Sequence, residues 1–387
     1  MMERVHFRRG PTVALLLGAV GLIGGVLTGL GSGFYESYLL SYLFWVGLSL
    51  GCLILLVVGH LAGGSWAAVI QRPLEAGVSL MPVMALAFLP VLFGMNVLYV
   101  WTDAQVVADS PLLDAKSAYL NTTFFVVRAA VYFGLWILAA WWYLRGSARQ
   151  DRDADQSARI GYRLKHMSGP WVVLYIVTMT FAGVDWAMSL TPLWWSGIYS
   201  VILMASQAIT AIAFVILVMV LLAGRSETID GLLTAKRLQD LGNYLMAFVL
   251  FWAYVSFSQL IIIWSGNVIE TNPWYVVRFD PAWASVAGFL LLFGFLAPFL
   301  VLFSRWVKRK RTALAAVAAW AILMQLINLI WFVVPTYERA GTQLTVPDVL
   351  LLLGIGGVWL FFYFRRLGAN PVLPHNDPRL KGADPHA

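Results

Sequence analysis

Ten long apolar stretches alternate with short polar segments along the 387-residue chain. They run over 12–31, 37–62, 78–101, 120–144, 170–190, 194–223, 244–265, 282–304, 313–334 and 346–364. Each reaches about the 20 residues a helix needs to cross a hydrocarbon core of ~30 Å. Lipid offers no partner to a backbone N–H or C=O, so runs of this kind must be helices. The pattern therefore predicts an all-α integral membrane protein of about ten transmembrane helices, residues 1–367, with almost no soluble mass. From Gly368, four prolines (371, 374, 378 and 385) predict an extended arm on the cytoplasmic face over 368–387, available to a partner.

A repeat is visible with an offset of four spans. Spans 3 and 7 both end in an aromatic-polar corner (LYVWTD and IIIWSG), and spans 5 and 9 carry a polar residue before a Trp, Asp185-Trp186 and Asn328 before Trp331. An even offset makes the repeats parallel. It predicts two four-helix bundles, spans 2–5 and 6–9, with spans 1 and 10 peripheral.

Charge fixes an expected orientation. Only Lys116, Arg128, Arg278 and Arg339, of 26 Lys and Arg, fall outside the tails and even-numbered loops, whereas the acidic residues split 10 to 9. A bias confined to basic residues is the positive-inside pattern. It places both termini in the cytoplasm and accounts for the net charge of +7 without nucleic acid. Arg8-Arg9 precede the first apolar run, but no small-x-small cleavage site follows. The run reads as a retained span.

The composition also limits the chemistry. One cysteine, Cys52, excludes a disulfide, an iron–sulfur cluster and a covalently attached haem. His60 is the one histidine inside a span; His6, His166, His375 and His386 lie in tails or loops. A bis-His haem across two helices is thus not available, and no redox cofactor is expected to bind this chain directly.

Ionisable groups within spans are costly and mark functional candidates. Arg128 lies about two turns into span 4 and Asp185 in the outer third of span 5. They form either a structural ion pair or a proton relay. His60, at the cytoplasmic end of span 2, is a packing histidine or a relay mouth. Gln207, Gln259, Gln325 and Asn328 serve as interhelical hydrogen-bonding groups, or with Tyr254, Ser256 and Ser258 they line a water wire in the second bundle. The segment HLAGGSWAAVIQRPLEAG, 60–77, is expected as a short interfacial helix, with Trp66 as anchor and Arg72 and Glu75 as a local pair or partner contacts. The loop 145–169 is expected as a solvated connector, and Arg305–Arg311 as an anchor at the lipid headgroups. Tryptophans at span ends (Trp101, Trp141, Trp142, Trp194, Trp195, Trp264, Trp274, Trp283) suit an interfacial belt or, for a few, stacking on a quinone ring.

Segment 60–77 resembles the signature of the ActF-type membrane subunits of bacterial alternative complex III, a quinol:electron-acceptor oxidoreductase of the respiratory chain. YLNTTFFVVRAAVYFGLW at 119–136, LYIVTMTFAGVDWAMSL at 174–190 and LQDLGNYLMAFVLFWAYVSFSQLIIIWSGN at 238–267 agree with it, in order and over nearly the whole chain. Gln239, where relatives often have His, and the lack of a second acid beside Glu270 depart from it. The resemblance implies an NrfD/polysulfide-reductase-type fold in the bacterial inner membrane. It implies as partners a multihaem cytochrome c subunit, an iron–sulfur subunit, a homologous quinol-binding membrane subunit, small membrane subunits and lipids. Quinol, haem c and iron–sulfur clusters would then sit in those partners, and this chain would scaffold them and contribute to proton translocation. Two alternatives stand beside it. One is a direct quinol pocket in this chain. The other is a stand-alone secondary transporter, which calls for helices broken at the midplane; Pro90 and Pro298 are the main candidates for a break.

Overall fold

The computed structural model describes residues 5, 7, 10–29, 32–269, 272–337, 344–374 and 376–381. Arg8-Arg9, His6, Glu270, Arg339, His375, Pro385 and His386 lie outside them. Among the described residues there is no strand, and ten helices are long and apolar enough to span a membrane. They are α1 Gly10–Thr28, α2 Gly33–Ala62, α3 Ser65–Phe93, α4 Thr122–Arg152, α5 Ser157–Leu190, α6 Tyr199–Ala223, α7 Ala235–Gly266, α8 Pro281–Phe303, α9 Arg311–Thr336 and α10 Val346–Ala369. Ten crossings bring the start of α1 and the end of α10 to one side, called here the terminal face.

Helices α2 to α5 pack as one four-helix bundle and α6 to α9 as a second, with the same neighbour pattern in each. The bundles meet where α2 crosses α6, and these two are the most buried spans. The crossing is close because Gly51 has no side chain; a Cβ there would stand 2.2 Å from the carbonyl oxygen of Gln207. Helix α1 packs almost wholly on α10, and α10 on α2. Spans 1 and 10 are thus peripheral, as the repeat predicts.

The apolar runs underestimate the helices. Helix α4 continues to Arg152 and α5 begins at Ser157, so the largely exposed connector 145–169 is a helical hairpin. Backbone bonding inside a helix does not require apolar side chains, and the two helices extend past any 30 Å core.

The larger correction concerns 60–77. Span 3 begins at Ser65, and Ala67 to Val78 are all buried within the first bundle. This segment is not an interfacial helix. Further along, α3 is broken at 79–80 and 87–88, among Pro73, Pro82 and Pro90. Phe88 N–H turns back to Ala85 and Val91 N–H to Phe88, which frees the carbonyls of Met84 and Ala87. Two tyrosines of α2 take them: Tyr42 donates to Met84 O at 3.0 Å and Tyr38 to Ala87 O at 2.7 Å. Proline breaks persist in a membrane where neighbours satisfy the freed groups. Helix α8 has a π-helical stretch, Leu290–Leu296, just before Pro298, and Trp320 donates to the Phe293 carbonyl there at 2.8 Å.

The described part of the C-terminal segment is not a free extended arm. It folds back on the terminal face of the first bundle, with Val372 and Asp377 buried.

Candidate functional site

Two regular series of polar-capable residues face one another along the first bundle. On α4 they are Arg128, Tyr132, Trp136, Tyr143 and Ser147, and on α5 Ser168, Trp171, Tyr175, Thr178 and Asp185, all buried. Spacings of three, four and seven keep each series on one helix face. The pairs that form make a seam from face to face.

At the far end from the termini, Arg128 and Asp185 form a two-bond fork, Nε to Oδ2 and Nη2 to Oδ1, both 2.8 Å. Tyr132 O–H donates to Oδ2 at 2.8 Å, and Arg128 Nη1 to the Tyr119 carbonyl at 2.9 Å. The guanidinium lies 3.8 Å from the Tyr119 ring centre and 4.3 Å from that of Phe124. Asp185 is fully buried and both its oxygens accept. The two residues therefore meet, as a closed, satisfied ion pair. Charge-assisted forks of this kind fix geometry as well as energy.

Lower in the seam, Trp136 Nε1 donates to Thr178 Oγ1 at 2.9 Å. Tyr175 O–H leaves the bundle sideways and donates to Gln207 Oε1 on α6 at 2.7 Å. A cavity of about 10 Å³ is bounded by Trp136, Trp171, Tyr175 and Thr178. That is close to the room one water needs. The Trp171 indole N–H is buried there without a protein partner. Next come Tyr143 and Ser168, hydroxyl to hydroxyl at 2.8 Å, and His60, whose ring stacks on Tyr143 at 5.1 Å. His60 is buried, and its Nε2 has no protein partner.

A network of charges closes the terminal end. Arg72 donates to Glu75 Oε2 at 2.6 Å, to Ser147 Oγ at 2.9 Å and to Asp151. Gln71 donates to Glu75 Oε1 at 2.7 Å. From the folded-back tail, Arg379 reaches Gly59 O at 3.2 Å, Asp377 Oδ2 at 2.6 Å and Gln71. Asn376 donates to the carbonyls of Gln150 and Asp151 at 3.0 and 3.2 Å. Burial works to raise the Asp377 pKa, but the hydrogen bonds and charge of Arg379 outweigh it and hold the carboxyl below its ordinary range. Arg72 and Glu75 are thus a local pair, only 4% and 2% exposed. Trp66 packs at a tilt on Tyr244 of α7, ring centres 4.2 Å apart, so it joins the two bundles within the chain.

In the second bundle the polar residues divide into two groups. Asn328 Nδ2 donates to Ser206 Oγ at 3.0 Å, and Ser206 donates to Gln325. Gln259 accepts from Ser196 at 3.1 Å and donates to the Tyr275 hydroxyl at 3.3 Å, toward the face away from the termini. Tyr254 turns outward, 65% exposed, and Ser258 is only half-buried. No hydrogen bond joins Tyr254 or Ser258 to Gln259 or Asn328, and Tyr254 lies on the outer face of α7.

Sequence inspection did not single out Arg278. It is 1% exposed, and it donates to the carbonyls of Trp274, Trp331 and Phe332 at 2.8, 3.2 and 2.6 Å, over the Trp274 ring at 3.5 Å. Burial pushes its pKa down to about 9, against the opposing pull of Tyr199 and Tyr275, which leaves it charged at neutral pH. It caps the end of α9 much as Arg128 holds the end of α5. Carbonyls at a helix C-terminus take the place of the carboxylate. The repeat offset of four pairs α5 with α9, and that offset was the available signal.

Among the described residues, no group of three or more His, Cys, Asp or Glu could hold a metal ion. Comparison with protein-family models finds no match, and no curated protein matches the chain.

Proposed function

We propose that this chain is an ActF-type membrane subunit of a quinol:electron-acceptor oxidoreductase of the alternative complex III kind. It sits in the bacterial inner membrane with both termini cytoplasmic. It has no redox centre of its own, scaffolds the haem c and iron–sulfur subunits beside a quinol-binding sister subunit, and conducts protons. The observation that carries this reading is the seam between α4 and α5. Its separate polar pairs are spaced from a buried histidine and a charge network at one face to a buried Arg–Asp pair at the other. Hydroxyl, indole and amide groups lie between them. Proton relays use groups of these types, held inside a bundle. The two equivalent four-helix bundles and the four sequence segments quoted above support the family reading.

The test is proton release per electron in vesicles containing the purified complex, for Asp185→Asn and His60→Ala in turn. A fall in the ratio with quinol turnover retained supports conduction through the seam. An unchanged ratio in both variants removes it. Purification from mild detergent, with mass spectrometry and a reduced-minus-oxidised spectrum, tests the family reading separately; a lone colourless chain overturns it.

A groove of about 380 Å³ favours the second reading, a direct quinol site. It is lined by Trp264, Tyr275, Phe279, Asn267 and Asn272 at the end of α7. Its size falls in the range of ligand pockets. Photo-crosslinking with a quinone analogue should label Trp264 or Tyr275 if it is used. The break in α3 does not favour a transporter, because Tyr38 and Tyr42 occupy the carbonyls it frees.

A further inference from the structure

A cavity of about 40 Å³ lies where the two bundles meet. Its walls come from α2, α5, α6 and α9, and four polar side chains face it: Ser206, Gln207, Thr210 and Gln325. Gln207 is 9% exposed, and its oxygen is taken by Tyr175. The one protein partner of its amide nitrogen is the Met179 sulfur at 3.5 Å. A thioether is a weak acceptor, so two strong N–H donors are left poorly served in an apolar interior. The Thr210 hydroxyl spends its proton on the Ser206 carbonyl at 2.8 Å and keeps its lone pairs. Donor and acceptor thus face one small space.

We infer that this cavity is a hydration site, holding two or three ordered waters that bridge Gln207, Thr210 and Gln325 and join the polar groups of the two bundles. The size supports this: a water needs about 10–15 Å³ of such volume, whereas a benzene ring needs an apolar cavity of about 150 Å³. The neighbours extend the connection on both sides. Tyr175 leads from Gln207 back into the α4–α5 seam, and Ser206 leads from Gln325 to Asn328. Resting on the proton-conducting reading, the junction gives the seam a lateral branch into the second bundle. The hydration itself does not depend on that reading.

Two measurements test it. Cryo-EM density of the purified complex at about 2 Å should contain two or three separate peaks within hydrogen-bond distance of Gln207 Nε2 and Thr210 Oγ1. A cavity without density, or one filled by a continuous elongated feature, overturns the inference. The second is the Tm of Ala182→Val, since Ala182 lines the cavity and is fully buried. Filling a dry apolar void raises Tm; displacing waters that serve Gln207 lowers it. A raised Tm in Ala182→Val therefore counts against hydration, and a lowered Tm that Gln207→Leu in the same background restores counts for it. Neither outcome bears on the proton ratio of Asp185→Asn, so the two readings fail separately.

Discussion

Replacing Asp185 by Ala removes three bonds at once: two from the Arg128 fork and one from Tyr132. Arg128 keeps only the Tyr119 carbonyl and the faces of Tyr119 and Phe124. Stripping one member from a buried pair costs about 3–5 kcal/mol, because the surviving charge stays buried without compensation. Interhelical hydrogen bonds inside a bilayer average only about 0.6 kcal/mol in double-mutant cycles. The charge on Arg128 decides between these scales and favours the larger. Arg128→Met should cost a similar amount, since Asp185 would keep only the Tyr132 hydroxyl. The pair Arg128→Met with Asp185→Leu removes both charges together and should lie within about 1–2 kcal/mol of the parent. The assay is reversible unfolding in mixed micelles, titrated with SDS and followed by tryptophan fluorescence. Costs that simply add in the double variant would refute the account, since they would mean that the two side chains do not sense one another.

Four further outcomes follow from the packing. Tyr42→Phe leaves the Met84 carbonyl without a donor at the α3 break and should cost about 1–3 kcal/mol in the same titration. Arg379→Ala should release the tail from Gly59 and Gln71 and make His60 reactive to diethylpyrocarbonate, which mass spectrometry of the modified peptide detects. His60 remaining inert would mean that the tail does not cover it. The Asp377 carboxyl is held below its ordinary value of 3.8. Its contribution to tail docking is therefore complete at neutral pH and declines as the pH falls below about 4. Hydrogen exchange of 372–381 should rise on acidification into that range and stay flat between pH 5 and 8. Gly21→Leu should separate α1 from α10, since a Cβ at Gly21 meets the Gly354 nitrogen and the Leu350 oxygen at 2.5 Å each; loss of an engineered cross-link between the two helices reports it.

The spans and their grouping were legible because a bilayer imposes length and apolarity with little freedom. Arg128 with Asp185 was legible for the same reason, as two costly groups at one depth. The rest of the seam was present in the spacing of α4 and α5 but was masked by chemistry. Trp136, Tyr143, Trp171 and Tyr175 read as apolar bulk, although each carries a polar atom. Segment 60–77 misled because Arg72, Glu75 and Gln71 look exposed when taken singly. What buries them is Asp151 from α4 and Arg379 from the tail, partners 79 and 308 residues away in the chain. Neither Arg379 nor Asp377 could be chosen from a proline-rich tail, since their roles exist only after the fold-back. Tyr254 failed in the other direction: a phenol near serines suggested a wire, and the helix phase points it outward from the bundle.

The pairing of the first helix with the last has a consequence for how the chain is made. Gly18, Gly21 and Gly25 of α1 nest against Gly354 and Gly357 of α10 and the neighbouring Leu350 and Leu351, and α1 has few other neighbours. At about 5–20 residues per second, the roughly 320 residues between them take on the order of 15–60 s to synthesise. For that time α1 stands in the bilayer with its glycine face open to lipid, an invitation to any other helix with a small-residue stripe. Arrival of α10 ends the exposure and brings its own end to the terminal face, where the tail can seat on the charge network. Synthesis of α10 is thereby coupled to the seating of α1, and a chain cut short before α10 leaves α1 without its main neighbour.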